Sequence, residues 1–318
     1  MKKKINFSTN RYQGVDPVLT NVAIGYQNET YIAESLFPSL PVKFQSGKHF
    51  VYDQGRFRVV TTKRGMGANS QEMQLKLTTG NPYFCEDHAL KQFVPDEDVD
   101  NAQTPTDPFT DAAENLMDLH MVARETEVAS LVTSTGTMTQ NTTLSGTSQW
   151  SDYSNSDPFA DIETGKQTVH AAIHRTPNIL VMGKQAWDKL KLHPALIERI
   201  KYTGKGPLTT DMVASLFEVD RILVGGAAKN TAKEGQTDST SYIWGKDAVL
   251  LYNPGRVAPK TMALGLTYVW QGKTLQVERL RGTDEEDRKG TIVRAGNWYY
   301  DTNIVAASAG YLLKTVVA

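Results

Sequence analysis

Between Arg56 and Leu77 the chain reads RFRVVTTKRGMGANSQEMQLKL, and Phe57, Val59, Met73, Leu75 and Leu77 alternate with charged or polar neighbours. A period of two marks strands buried on one side, so the pattern predicts a hairpin whose arms flank the polar, glycine-bearing connector KRGMGANSQE. Two strands are marginal alone in water. The segment contains no helix to lie on the apolar face, which therefore needs cover from elsewhere.

The period changes to three and four in TPTDPFTDAAENLMDLHMVARETEVASLV, where Phe109, Ala112, Leu116, Leu119 and Ala123 form one stripe and Val128, Leu131 and Val132 continue it on a slightly rotated face. Asp107 is placed to cap and Pro108 to open the helix, and no Gly or Pro interrupts it before Val132. Residues 107–132 would span roughly 39 Å, longer than a compact small domain needs. Residues 133–157 are rich in Ser, Thr, Asn and Gly and read as a long connection with room for a short hairpin. A second Asp-Pro pair, Asp157 and Pro158, starts a helix with Phe159, Ile162, Val169 and Ile173 on its apolar side. NILVMG (178–183) reads as a short buried strand. It is followed by helix through Trp187, Leu190, Leu196 and Ile200, interrupted at Pro194, and by a Thr-capped helix in TTDMVASLF. RILVGGA, YIWGKDAVLLY, TMALGLTYVWQ, TLQVERLR, GTIVRAG and the tail from Trp298 to Val317 read as strands in series, which makes the fold class α+β. TLQVERLR and GTIVRAG flank RGTDEEDRKG, a second hairpin with a highly charged tip. Residues 1–35 show no sustained period and read as an arm that becomes ordered on another surface.

Composition narrows the function. The 318 residues are 40% hydrophobic, enough for a real core, and 34 Lys and Arg against 35 Asp and Glu leave a formal charge of -1. Such a balance does not mark a protein that grips nucleic acid or a membrane. Cys85 is the one cysteine, which excludes a disulfide framework within the chain and fits a reducing compartment, the cytoplasm by default. The basic start MKKK is followed by no apolar run of signal-peptide length, and no stretch reaches membrane-spanning length.

Candidate chemistry is sparse. His170 and His174 sit one helical turn apart in HAAIH, a spacing that can serve a metal, but Ala171 stands where a zinc peptidase needs glutamate. CEDH (85–88) crowds a thiol, two carboxylates and an imidazole, yet neighbouring strand residues point to opposite faces. DEED (284–287) lacks the alternating ligands of a calcium loop and reads as a salt-linked or solvated tip. TGKGPLTT and VGGAAKNTA match no phosphate-binding loop. No enzyme emerges, and no cofactor or metal is expected.

NVAIGYQNETYIAESLFPSLPV, a hairpin, a long helix, SQWSDYSNSDPFADI, PNILVMGKQAWDKLKLHPALIERIK and VDRILVGGAAKNTA, in that order, resemble a tailed-bacteriophage major capsid protein of the Hong Kong 97-type, over nearly the whole chain. The resemblance implies an N-terminal arm at 1–37 and an extended-loop region at 38–82. It further implies a peripheral domain from 83–135 and 263–297 with 107–132 as its spine helix, and an axial domain from 136–262 and 298–318. It implies self-association into hexameric and pentameric capsomers of an icosahedral shell around double-stranded phage DNA, held without sequence specificity. Subunit contacts are expected at Arg56, Phe57, Arg58, Lys63, Arg64, Met66, Met73 and Leu75 of the first hairpin and at Asp284, Glu285, Glu286, Asp287 and Arg288 of the second. A separate scaffolding protein and a portal are expected partners, with assembly in the host bacterial cytoplasm and no membrane. Some relatives of this type cross-link a loop lysine to asparagine, and Lys63 lies in the matching hairpin without an identifiable partner. The alternative is a shell of the same fold around a cellular, encapsulin-like nanocompartment.

Overall fold

The computed structural model describes residues 13–25, 31–52, 59, 60, 62–72, 77–103, 106–201, 208–233, 235–257 and 262–318. Within it the Asp-Pro pairs start helices as the sequence predicts. The long helix runs Pro108–Val132, and Asp107 Oδ1 accepts the Phe109 N–H at 3.2 Å. Its buried side follows the predicted stripe at Ala112, Leu116, Val128 and Val132 and adds Ala113 and Met117, but Leu119 is 49% exposed and Ala123 also faces solvent. Three polar side chains, His120, Arg124 and Glu125, take the inner positions between the two apolar ends. The 3.6-residue repeat carries the face through them, and an apolar-only pattern passes over them.

Helix Pro158–Ile173 is capped by Asp157, which accepts the N–H groups of Phe159 at 3.0 Å and Ala160 at 3.2 Å. Replacing Asp157 by Ala orphans both donors and is expected to cost about 1 kcal/mol, read as a lower denaturant midpoint at unchanged slope.

The chain divides into two compact units, Met1–Glu29, Cys85–Ala123 and Val269–Tyr300 in one, Thr30–Phe84, Arg124–Tyr268 and Asp301–Ala318 in the other. The first contains antiparallel strands. Gly290–Ile304, 15 residues long, contributes its first part here and pairs with Gln276–Leu280 and with Glu86–Pro95, while Gln13–Val15 adds to the outer edge of Gln276–Leu280. Leu19, Ala23, Ala113, Leu116, Val277 and Val293 fill its core.

The second unit is built on a five-stranded sheet in the order Asn141–Thr143, Gly310–Lys314, Ala248–Leu251, Ile179–Gly183, Arg221–Gly225. Its central strands Ile179–Gly183 and Ala248–Leu251 are buried throughout. That is why ILVMG reads as an unbroken apolar run. Gly183 is required there: a Cβ would stand 2.0 Å from the Gly245 carbonyl oxygen.

Four expectations are corrected. The connection 133–157 holds no hairpin; Asn141–Thr143 pairs in parallel with Gly310–Lys314 from the far end of the chain. YIWGKDAVLLY splits into Thr240–Tyr242, paired with Ala228–Asn230, and Ala248–Leu251, with Gly245 at φ 55° between them. GTIVRAG and the Trp298 segment are one strand, which continues past a register shift between Ala295 and Trp298 with Asn297 at φ 59°. Finally, the arm is not wholly in search of a foreign surface. Residues 13–25 form a strand and the helix Pro17–Gly25, Asp16 pairs with Arg279 at 2.8 Å, and Leu19, Ala23, Ile32, Ala33 and Leu36 are buried within this chain. Edge pairing and five small apolar anchors order a segment too short to show a period.

Candidate assembly surfaces

The first hairpin is paired at its base, while residues 56–58, 61 and 73–76 of the alternating segment lie outside the described residues. Ser46–Tyr52 pairs antiparallel with Leu77–Phe84, from Ser46 opposite Phe84 to Tyr52 opposite Leu77, with one register shift between Lys48 and Phe50. Val59, Val60 and residues 62–72 belong to no strand. Val59 and Met66 are fully exposed. Gly67, at φ 76°, makes the turn, and the Ala68 N–H reaches the Gly65 carbonyl at 3.2 Å. Lys63, Arg64 and Met66 are exposed on this tip. Arg56, Phe57, Arg58, Met73 and Leu75 lie outside the described residues.

The base of the loop is fastened on one face only. Tyr83 stacks on Tyr268 with ring centroids 4.4 Å apart, and buried His49 lies 6.1 Å from the same ring. The Phe84 N–H donates to Asp301 Oδ2 at 3.0 Å, and Asn303 Nδ2 donates to the Pro82 carbonyl at 3.1 Å. Burial, then the nearby Asp301 carboxylate, pushes the Tyr268 phenol far above its ordinary range, so it stays neutral. The opposite face presents Phe50, 43% exposed, and Phe84, 54% exposed, with Phe44 before the strand at 66%. Strand geometry sends neighbouring side chains to opposite sides, which separates an anchored face from an apolar one left in water.

The second hairpin has its predicted strands, Leu280 opposite Ile292 and Gln276 opposite Gly296, and its tip is a helical turn, Thr283–Asp287. Glu285 reaches back to accept the Gly282 N–H at 2.9 Å. Arg281 forms a two-pronged pair with Asp96 at 3.1 and 2.7 Å, and the Arg288 guanidinium lies 4.0 Å from the Phe93 ring centre. Of the acidic run, Glu285 is thus spent on folding the tip, while Asp284, Glu286 and Asp287 are exposed. The salt link that the sequence suggests for this tip exists, but it is made by Arg281.

A buried carboxylate with several donors escaped the sequence reading. Glu125 is fully buried, and its carboxylate accepts the N–H of Ile32 at 3.1 Å, the N–H of Ala33 at 2.8 Å and the indole N–H of Trp244. Burial pushes its carboxyl above the usual range, against the pull of those donors and of Arg124. One residue of the long helix thereby ties down the segment that follows the N-terminal region and a tryptophan more than a hundred positions away. A glutamate at an inward position of an amphipathic helix was the available signal.

His170 and His174 stand 6.4 Å apart with rings at 86°, and His174 ends its helix in the left-handed region. Cys85 is buried, His88 stacks on Tyr300 at 3.8 Å, and Asp87 lies 3.9 Å from Arg294, so CEDH is divided among separate packing roles. Among the described residues no group of three His, Cys, Asp or Glu side chains is arranged to hold a metal, and no helix is long and apolar enough to cross a membrane.

A two-stranded antiparallel loop, a long helix and a mixed five-stranded sheet are elements of the Hong Kong 97-type capsid fold. The capsid of cyanophage P-SCSP1u shares it at 12% identity, covering 91% of this chain and 89% of the other with a TM-score of 0.58. Residues 126–267 match the family described as phage major capsid protein E. The major capsid protein of Burkholderia phage BcepMu is 33% identical over 310 residues, 95% of this chain and 96% of that one. The crystal structure of a phage-related protein from Bordetella bronchiseptica RB50 superposes with a TM-score of 0.77 at 30% identity, covering 96% and 98% of the two chains. The chain belongs to the phage major capsid proteins, a structural and non-enzymatic family whose members associate with copies of themselves in the virion capsid.

Proposed function

We propose that copies of this chain form hexameric and pentameric capsomers of an icosahedral shell that encloses double-stranded DNA. The observation that carries this reading is the one-sided fastening of the 46–84 loop: a hairpin pinned through Tyr83 and His49 presents Phe50 and Phe84 to solvent, and a neighbouring copy supplies the cover. Linked weak contacts suffice in a closed shell because each new contact forms at high effective concentration.

In this reading the unit holding the hairpin tipped by Thr283–Asp287 is the peripheral domain, the unit with the five-stranded sheet is the axial domain, and the 46–84 loop reaches an adjacent subunit. Contacts are assigned to Arg56, Phe57, Arg58, Lys63, Arg64, Met66, Met73 and Leu75 on the loop and to Asp284, Glu285, Glu286, Asp287 and Arg288 on the second tip. There charge selects register more than it adds affinity. A formal charge of -1 suits a wall that confines DNA without the counterion-releasing grip that would hinder its movement. A scaffolding protein and a portal complete the assembly in the host cytoplasm. Kinship to a phage protein over 95% of the chain favours DNA over the enzyme cargo of a nanocompartment.

Expression with the neighbouring late genes is expected to yield closed particles of uniform diameter by negative-stain microscopy, with nuclease-protected DNA inside. Chains that stay monomeric, or shells that protect an enzyme and no DNA, overturn the assignment.

A further inference from the structure

Four helices among the described residues begin with an acceptor side chain followed by proline: Asp16–Pro17, Asp107–Pro108, Asp157–Pro158 and His193–Pro194. In each, that side chain accepts the N–H two residues on. Val18 donates to Asp16 at 2.9 Å, Phe109 to Asp107 at 3.2 Å, Phe159 to Asp157 at 3.0 Å, and Ala195 to His193 Nδ1 at 3.2 Å. Proline at the first position has no N–H to satisfy, so this second amide is the first orphan donor of the helix. Three of the caps are carboxylates. The fourth is an imidazole, whose accepting lone pair is also its site of protonation.

The surrounding bonds fix which nitrogen carries the hydrogen. Ser156 Oγ donates to the Asp152 carbonyl at 2.6 Å, and its lone pairs then receive His193 Nε2 at 3.0 Å. Nε2 is therefore the donor and Nδ1 the acceptor of a neutral ring, only 2% exposed. We propose that His193 is an acid-sensitive cap: its protonation breaks the first turn of helix Pro194–Lys201, while the three Asp-capped helices hold.

A hydrogen on Nδ1 would point at the Ala195 N–H, donor against donor, and would put a positive charge at the positive end of the helix. The groups around the ring do not offset this. Tyr153 meets it edge-on at 5.6 Å and gives its hydroxyl to the Lys189 carbonyl. The Asp152 carboxylate is engaged by the N–H of Ser154 and by Asn155, and Asp188 by Lys184 and Lys191. Arg199, on the capped helix, lies over Phe159. Asp157 alone favours the charged ring, and burial outweighs it, so the imidazole is held below its ordinary value. With the folded value lowered, the unfolded segment binds the proton more readily; the cap is complete above about pH 6.5 and is lost as pH falls below it.

His49 and His120 are also buried and held low, so a global unfolding curve would mix three titrations. The test is local: hydrogen exchange of the peptide covering Ala195–Lys201 in the full chain, corrected for the intrinsic pH dependence of exchange, from pH 7.5 to 5. Protection there is expected to fall by about tenfold or more while peptides at the starts of the Asp-capped helices stay level. His193→Asp, which recreates the cap of the other three helices, is expected to abolish the fall. His193→Asn, which keeps an acceptor without adding charge beside Asp157, is expected to do the same. A level wild-type profile, or a fall of the same size in both variants, overturns the proposal.

Discussion

Deleting residues 60–72 is expected to abolish closed shells and leave the rest of the chain folded. The paired strands 46–52 and 77–84, the Tyr83–Tyr268 stack and the bonds to Asp301 and Asn303 all lie outside the deletion, and none of the described residues it removes is buried, because Val60 and residues 62–72 are solvent-facing or nearly so. Thermal and denaturant midpoints should therefore stay close to those of the intact chain. Assembly should not survive. The deleted tip carries Lys63, Arg64 and Met66, and losing one linked contact per subunit lowers effective affinity by roughly 10²- to 10⁴-fold at each closure step. Particles of ordinary size from the deleted chain in negative stain would refute the role given to the loop. An unfolded product, detected by loss of the cooperative transition, would refute the claim that the tip is dispensable for the fold.

The largest effect on stability is expected at Glu125. Truncation to Ala leaves the Ile32 and Ala33 amides and the Trp244 indole buried without their acceptor, beside Arg124. Each orphaned donor costs about 1–3 kcal/mol, and a partial rearrangement offsets some of it, so a net loss of roughly 3–5 kcal/mol follows. That is a large share of the ~5–15 kcal/mol that holds a typical domain. Glu125→Gln retains one oxygen for two of the donors but turns an amide N–H₂ toward the third, and about 1–3 kcal/mol is expected. Urea titration followed by tryptophan fluorescence reads both, since Trp244 reports on the site. A loss below about 1 kcal/mol for the Ala variant would show that water takes over the carboxylate's place as acceptor.

How far the sequence was legible varied with the range of the forces involved. Helix starts were legible at Asp107 and Asp157 because a cap, a proline and the first turn are neighbours in the chain. The strand Ile179–Gly183 was legible because burial on both faces leaves no polar position in it. Within the described residues the loop was legible in part: alternation from Phe57 to Leu77 marked the segment, but not the paired strands at 46–52 and 77–84. Nor did the pattern reveal the ordered residues 13–25, whose stability comes from a strand at 276–280 and from Leu19 and Ala23 reaching a core built elsewhere.

By itself, then, the chain's pattern determined the α+β class, the long helix, the two hairpins with their exposed tips, and, through the order of its segments, kinship with phage capsid proteins. Tertiary structure alone decided that Glu125 gathers Ile32, Ala33 and Trp244, that Asn141–Thr143 joins Gly310–Lys314, and that one face of the extended loop is pinned while the other stays bare. The physical reason is distance along the chain. Caps, turns and periodicity act between residues a few positions apart and leave a local trace, whereas a buried hydrogen bond or a strand pairing depends on two distant segments, and neither carries a mark of the other.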